Sequence, residues 1–226
     1  MTFLLPAYTG NGVTQNKLKA AEWFGKAAEQ GNVRAQFNLG IMYGNGDGVA
    51  QNKLKAAEWY GKAAEQGDAG AQCNLGLLYE LGEGVAQDKL KAVEWYQKSA
   101  EQGNADAQCN LGVMYANGSG VAQDKLKAVE WYRKPAEQGF ARAQFCLGNM
   151  YYGGEGVAED KLKAVEWFRK AAEQGMADAQ NILGNMYEYG EGVAQDKPKA
   201  VEWYRKAAAQ GNAQAQSKLR ELGESR

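Results

Sequence analysis

Apolar and polar residues alternate along this chain in a pattern that repeats every 36 residues. In the unit from Asn104 to Gly139, the first apolar stretch places Ala107, Leu111 and Tyr115 at successive spacings of four. Side chains four residues apart share one face of an α-helix. The stretch therefore predicts an amphipathic helix, here called helix A.

A second apolar stretch follows a Gly-Ser-Gly-Val loop and begins after Asp124, a residue type that caps helix N-termini. Its apolar positions keep helical spacing and are Leu126, Ala128, Trp131, Tyr132 and Ala136. Gly139 supplies the glycine that ends many helices. We therefore predict a second helix, helix B, so that each unit is an antiparallel helix pair without strands.

A glycine lies in the middle of helix A in five units, at Gly40, Gly76, Gly112, Gly148 and Gly184. Each such glycine costs ~1 kcal/mol relative to alanine, so its repetition indicates a close helix contact, with a Trp or Tyr of helix B over the missing side chain. Tryptophan itself recurs at Trp23, Trp59, Trp95, Trp131, Trp167 and Trp203. We expect this series to lie in the core; tryptophans that bind sugars or cations are the alternative.

A fixed period of this length is typical of a solenoid, in which each unit packs only on its neighbours. We predict a single array over residues 1–226, with a partial first unit 1–31, full units 32–67, 68–103, 104–139, 140–175 and 176–211, and a C-terminal capping helix 212–226. Phe3, Leu4 and Leu5 could cover the exposed side of the first helix B; a disordered chain end is the alternative. Pro135 should bend or fray the last turn of its helix.

The charge balance argues against a nucleic-acid partner, and the lengths of the apolar runs argue against membrane insertion. The chain has 26 Lys+Arg against 27 Asp+Glu, and nucleic-acid binders usually carry a basic excess. Its apolar runs are shorter than the ~20 residues that span a bilayer, so membrane insertion is not expected.

The apolar start at residues 3–5 is too short for a signal peptide. A signal could have been removed, so the compartment stays open, with the cytoplasm slightly favoured over the periplasm or secretion.

The chain has no histidine, which removes histidine-based catalysis and the usual zinc sites. We therefore expect no metal and no cofactor. Its three cysteines are Cys73, Cys109 and Cys146. Equivalent atoms in stacked helices are ~8–10 Å apart, and a disulfide requires Cα atoms within ~7 Å. We predict three free thiols.

The unit resembles the Sel-1-like repeat of the tetratricopeptide-like clan. The residues that carry the resemblance are Ala107, Leu111-Gly112, Tyr115, Gly118, Gly120-Val121, Asp124, Lys127-Ala128, Trp131-Tyr132 and Ala136-Glu137-Gln138-Gly139. The resemblance implies an all-α, right-handed solenoid of antiparallel helix pairs. It also implies a scaffold or adaptor role, most often in bacteria. Some relatives bridge the helices of each repeat by disulfides, but this chain has no cysteine in any helix B.

The units differ most on one stripe of helix A, at positions 34, 38, 41 and 45 and their equivalents. Helix A lines the concave side in related superhelices, so we expect a partner-binding groove there; neutral surface variation is the alternative. The predicted partner-binding residues are Arg34, Asn38, Ile41, Asn74, Leu77, Asp106, Asn110, Val113, Arg142, Asn149, Asn185 and Tyr189. Asn38, Asn74 and Asn110 could bond the backbone of an extended peptide, because an amide both donates and accepts.

These features predict a non-enzymatic scaffold that binds a protein or an extended peptide. An inhibitor or immunity protein for a bacterial effector enzyme is the alternative. An enzyme of cell-wall or β-lactam chemistry is less well supported, because the chain has neither histidine nor a Ser-x-x-Lys pair. Self-association through the incomplete N-terminal repeat stays open.

Overall fold

The computed structural model describes residues 14–224, and side chains from residue 16. All regular structure in this range is helical. The helices are α1 Thr14–Glu29, α2 Val33–Asn45, α3 Lys53–Glu65, α4 Ala69–Leu81, α5 Lys89–Glu101, α6 Ala105–Asn117, α7 Lys125–Glu137, α8 Ala141–Gly153, α9 Lys161–Glu173, α10 Ala177–Tyr189, α11 Lys197–Ala209 and α12 Ala213–Glu221. The predicted all-α solenoid of helix pairs is confirmed. The expected cover by Phe3, Leu4 and Leu5 lies outside the described residues.

The chain divides into two compact units, Met1–Asn104 and Ala105–Arg226, called unit 1 and unit 2 below. Unit 1 contains α1–α5 and unit 2 contains α6–α12. Within each unit, every helix packs against the next one along the chain. Even-numbered helices are helix A of the sequence pattern, and odd-numbered helices are helix B.

Side chains at the predicted N-caps begin most helices. Asp68 Oδ1 accepts from the Ala71 amide at 2.7 Å, and Asn52 Oδ1 accepts from the Lys55 amide at 2.9 Å. Such a bond satisfies an amide that has no partner within the helix. The first helix differs from its equivalents, because α1 begins at Thr14 and the predicted cap Asn16 lies inside it.

The mid-helix glycines lie under aromatic rings, as predicted, but the rings belong to Tyr or Phe and not to Trp. A Cβ on Gly40 would come within 2.6 Å of the Tyr60 ring, and one on Gly184 would come equally close to Tyr204. Tyr204 is fully buried. The glycine therefore lets helices A and B approach until the ring fills the space of the missing side chain.

The prediction of a core tryptophan series is wrong. Trp23 is 60% exposed, and the other five tryptophans are half-buried. Trp95 packs at the edge of the α3–α4 cluster, and Lys98 Nζ lies 4.2 Å from the centroid of its ring. Adjacent residues on a helix point about 100° apart, so only one of each aromatic pair can face the glycine. The tryptophan takes the flanking position, where it joins its helix to the preceding repeat.

The leucine near the start of helix B, present in five of the six repeats, was also assigned to the buried stripe, but it is exposed. Leu126, which we assigned to the apolar stripe, is 58% exposed. It lies one residue after the start of α7, at the edge of the helix that faces solvent. Its equivalents Leu18, Leu54, Leu90 and Leu162 are also exposed.

Two polar contacts tie neighbouring repeats together within a unit. The buried Gln36 donates from Nε2 to the Ala28 carbonyl of the preceding repeat at 3.1 Å, and Gln66 of its own repeat donates to Gln36 Oε1 at 2.7 Å. Lys53 Nζ lies 2.9 Å from Glu83 Oε2 in the loop of the next repeat. Equivalent contacts recur in unit 2, for example Gln174–Gln144.

The A–B loops rest on the preceding helix B. Gly84 has a φ of 73° and lies against the Lys53 carbonyl, where a Cβ would collide with backbone. Glycine is required here by both the left-handed conformation and the contact. The loop that leads into α5 is thereby held on the first turn of α3.

Pro135 is buried inside α7 and does not fray it. The helix continues to Glu137 and has the same 13 residues as α5 and α9. The Phe140 amide still donates to the Pro135 carbonyl at 3.0 Å, which closes the helix end. None of the helices between residues 14 and 224 is long and apolar enough to cross a membrane.

Candidate protein-binding face

The residues that vary between repeats lie together on the helix A surfaces. We call positions 34, 38, 41 and 45 and their equivalents the A stripe. The twelve A-stripe residues predicted as partner-binding are all exposed or half-buried, whereas the neighbouring Leu39 and Gly40 are buried. Helix A therefore holds the fold with one side and presents the A stripe on the other.

In unit 1 the A stripe is amide-rich at its centre and apolar at its C-terminal end. Asn38 and Asn74 are half-buried on α2 and α4. Leu77 is 41% exposed and Leu81 is 54% exposed. Asparagine or a small residue takes these two positions in α8, so the fold does not require leucine there.

Asn74 is partly committed to the protein itself. Burial raises the pKa of Tyr60 to about 12, while a hydrogen bond with Asn74 acts in the opposite direction. The amide therefore orients the hydroxyl of the ring that covers Gly40. Only the remaining hydrogen-bonding capacity of Asn74 can serve a partner.

In unit 2 the A stripe belongs to a polar network. The Tyr204 hydroxyl lies 2.6 Å from both Asn185 Oδ1 and Glu188 Oε2, so its proton is shared between an amide and a carboxylate. Burial and the Glu188 carboxylate raise the pKa of Tyr204. Lys218 from the capping helix α12 donates to the Tyr189 hydroxyl at 2.8 Å.

A second hydrogen-bonded group is centred on Glu191, in the loop after α10. Tyr152 donates to Glu191 Oε2 at 2.6 Å, and Lys161 donates to Glu191 Oε1 at 2.9 Å. The hydrogen bond from Tyr152, together with Lys161, holds the pKa of Glu191 below its usual value. These hydrogen bonds hold the three side chains in place, with the Tyr152 ring still partly exposed.

Sequence reasoning missed Tyr152, Glu188 and Lys218. Position 44 of the repeat reads Gly44, Glu80, Ala116, Tyr152 and Glu188, and this variation was a usable signal. Lys218 occupies the A-stripe position of Asn38 and Asn74, in the segment predicted as the capping helix. Its side chain approaches Tyr189 and Glu188.

The three cysteines are free thiols in the structure, as predicted. Cys73 and Cys109 are buried, and Cys146 is half-buried beside the Tyr132 hydroxyl. Burial raises the pKa of the Cys146 thiol. A raised pKa suppresses the reactive thiolate form of Cys146.

The family described as Sel1 repeat matches the chain six times, at residues 7–32, 33–68, 69–104, 105–140, 141–176 and 177–212. No curated protein matches the chain. The matches to known families and structures indicate no catalytic family.

Several solved structures are similar to this chain. A protective antigen present in uropathogenic Escherichia coli strains is 43% identical with a TM-score of 0.83, over 94% of this chain and 46% of that chain. This chain therefore spans just under half the length of that protein. A Sel1 repeat protein from Oxalobacter formigenes is 38% identical with a TM-score of 0.86, over 93% of this chain and 85% of that chain.

An immunity protein from Pseudomonas aeruginosa is more distant, at 27% identity with a TM-score of 0.56, over 81% of this chain and 66% of that chain. The glycine–aromatic contacts and loop glycines of the structure recur in phase with the six family matches. The chain belongs to the Sel1 repeat family.

Proposed function

We propose that this chain is a non-enzymatic scaffold that binds a protein or an extended peptide on the A stripe, the concave side expected from related superhelices. The observation that carries the proposal is the contrast between the two sides of helix A. Positions that pack the repeats stay the same from unit to unit, whereas the half-exposed A stripe changes chemistry. A scaffold needs constant packing and a variable contact surface.

The two units offer different chemistry to a partner. In unit 1, Leu77 and Leu81 suit apolar side chains, and Asn38 offers an amide to a peptide backbone. In unit 2, Asn149 and Tyr189 suit polar or aromatic groups. Interfaces draw most of their binding energy from a few such anchors, with tyrosine prominent among them.

Affinity capture with the intact chain, followed by mass spectrometry, identifies candidate partners. The Asn38→Ala and Leu77→Ser variants should each weaken a specific partner by about 1–3 kcal/mol, because the ligand loses a hydrogen bond or an apolar contact. Gln97→Ala, which removes an exposed amide from helix B, is the matched control and should leave affinity unchanged. The proposal is wrong if Gln97→Ala abolishes binding while both A-stripe variants bind normally.

The likeness to an immunity protein supports a second candidate, an inhibitor that clamps a bacterial effector enzyme. This role predicts a tight complex with the folded product of a neighbouring gene and loss of that enzyme's activity on mixing. Co-purification and an activity assay test it. A complex that leaves the enzyme fully active would support the scaffold role instead.

An enzyme of β-lactam chemistry is the least supported function. The hydroxyl, carboxylate and ammonium groups on and beside the A stripe in unit 2 are bonded to one another. We expect the purified chain to leave a chromogenic β-lactam unhydrolysed. Turnover above the buffer rate that disappears with Tyr204→Phe would contradict the non-enzymatic assignment.

A further inference from the structure

A buried amide in unit 2 carries an oxygen for which the fold supplies no donor. Asn181 lies on α10 and is only 4% exposed, yet its Oδ1 accepts no hydrogen bond from residues 16–224. Its Nδ2 donates to Gln214 Oε1 of α12 at 3.0 Å. Buried polar atoms of native proteins are nearly always hydrogen-bonded, so this exception requires an explanation.

Packing of the repeats does not require an amide at this position. The equivalent residues of the preceding helix A elements are all apolar or thiol side chains that are buried or half-buried, namely Phe37, Cys73, Cys109 and Phe145. Phe145, one repeat earlier, packs on the Phe168 ring with 5.8 Å between the ring centroids. An apolar side chain therefore serves the fold, whereas Asn181 leaves a buried acceptor unsatisfied, which lowers stability.

Asn181 belongs to a polar contact between α10 and α12, here called the α10–α12 seam. Three side-chain hydrogen bonds cross the seam: Asn212 to Asp178 at 3.0 Å, Asn181 to Gln214 at 3.0 Å and Lys218 to Tyr189 at 2.8 Å. Asp178, Tyr189, Gln214 and Lys218 occupy A-stripe positions. A ligand that follows the A stripe from α10 to α12 would therefore pass directly over the buried amide.

The hydrogen bond to Gln214 is the one that a ligand can replace at low cost. Gln214 is exposed, and its Nε2 makes no hydrogen bond within the described part of the chain. When its side chain turns away, it exchanges one neutral hydrogen bond for bonds to water. A group that then binds at Asn181 Nδ2 also lies next to Oδ1, because both atoms belong to one planar amide.

This pairing of a donor with an acceptor matches an extended peptide backbone. In an extended chain, the N–H and C=O of one residue point to the same side, which lets two strands exchange both hydrogen bonds. Such a residue offers its C=O to Asn181 Nδ2 and its N–H to Oδ1. A helix has already used these groups internally, and a charged donor is disfavoured because burial penalises an ionised group.

We propose that Asn181 binds the backbone of one residue of an extended peptide that crosses the α10–α12 seam and takes the place of Gln214. The side-chain amide of Gln214 already supplies the carbonyl half of this interaction. The inference rests on the proposed function, because it specifies how unit 2 holds a ligand of the A stripe. A buried polar group that only the correct ligand satisfies also provides specificity.

The test selects ligands for the full chain from a phage library of random 12-residue peptides. Synthetic copies of the selected peptides are then measured by fluorescence anisotropy. At least one peptide should bind Asn181→Leu tenfold or more weakly than the parent chain, because leucine keeps the branched shape but lacks the amide. Gln214→Ala should bind that peptide at least as tightly as the parent. Gln97→Ala, which removes an exposed amide from α5, should change its affinity less than twofold.

A backbone contact leaves a signature that a side-chain contact does not. Methylation of one backbone nitrogen of the peptide should weaken its binding to the parent chain at least tenfold. The same methylation should change binding to Asn181→Leu less than twofold, because both changes remove the same hydrogen bond. Asn181→Leu should also unfold at or above the temperature of the parent chain, because an apolar side chain of similar shape replaces the unsatisfied amide.

Selected peptides that depend on Asn38 or Leu77, but bind Asn181→Leu as tightly as the parent, would overturn this inference and leave the proposed function in place. Failure to select any peptide would count against both. A methylation scan without a sensitive position would overturn the inference as well. So would a clear loss of thermal stability in Asn181→Leu, because it would show that an internal water holds the amide as part of the fold.

Discussion

A glycine under an aromatic ring is the contact that each repeat renews at the level of single residues. Gly40 and Tyr60 form it in unit 1, and Gly184 and Tyr204 form it in unit 2. Not every helical glycine carries such a ring. A Cβ on Gly61 of α3 would meet nothing within 4 Å. Gly40 is required by close packing, whereas Gly61 has no packing role, although both lie in helices of 13 residues.

This difference predicts opposite effects of one substitution. Gly61→Ala should raise the free energy of unfolding by about 0.5–1 kcal/mol, because alanine is the better helix former. Gly40→Ala should lower it by about 1–3 kcal/mol, because the new Cβ overlaps the Tyr60 ring. Urea unfolding of the two variants measures both values. A stabilising Gly40→Ala would mean that the ring moves away at little cost.

The hydroxyl of Tyr60 should leave a signature at alkaline pH. Its pKa is about 12 in the fold against 10.0 for the free side chain, so the folded state keeps the proton longer. The stability that this provides is complete below pH 10 and is lost as the pH rises towards 12. Tyr60→Phe, which keeps the ring, should lose less stability between pH 10 and pH 12 than the parent chain. An equal loss of stability in the variant and the parent chain over this pH range would show that the fold does not raise the pKa of Tyr60.

At the scale of one element, sequence reasoning located every described helix but misassigned some of the side chains that helix B buries. Caps, glycines and apolar spacing mark helix ends because these features act locally. The choice between Trp131 and Tyr132 is not local, since it depends on which ring fits the glycine of the neighbouring helix. Leu126 was misplaced for a related reason, because an apolar residue near a helix start satisfies helical spacing whether or not another helix covers it.

Pro135 destabilises α7, and the fold does not require a proline at this position. It eliminates one backbone hydrogen bond, yet the helix keeps its length, and alanine occupies the equivalent buried positions 63, 171 and 207. Pro135→Ala should therefore raise the free energy of unfolding by roughly 2–3 kcal/mol. Thermal or urea unfolding checks this, with Pro198→Ala as the control. The control should change stability little, because Pro198 lies in the first turn, where proline is tolerated.

At the scale of the whole molecule, the sequence period predicted the array, because each repeat needs the same neighbour contacts. The partner site was less accessible to this reasoning. Asn74 proved to be engaged with Tyr60, and Lys218 proved to lie beside Tyr189. The A stripe changes from repeat to repeat while the array is maintained, so the pattern that encodes the fold carries no information about a ligand.

Local contacts also predict how distant changes combine. Gly40→Ala in unit 1 and Gly184→Ala in unit 2 share no contact residue. Their effects on the free energy of unfolding should add to within ~0.5 kcal/mol in the double variant. Equilibrium unfolding of the two single variants and the double variant provides the comparison. A double variant far less stable than the sum would show long-range cooperativity between the units.

The glycine loops have a consequence for how such a molecule can diversify. Gly84 is pressed against the backbone of the preceding helix, so a longer loop would lift the next helix out of register. Antibody domains acquire new specificities by lengthening loops on a fixed frame. The contact of Gly84 with the preceding helix excludes longer loops in this chain. New binding surfaces in this chain must come from exchanging side chains at constant length, or from adding and deleting whole 36-residue repeats.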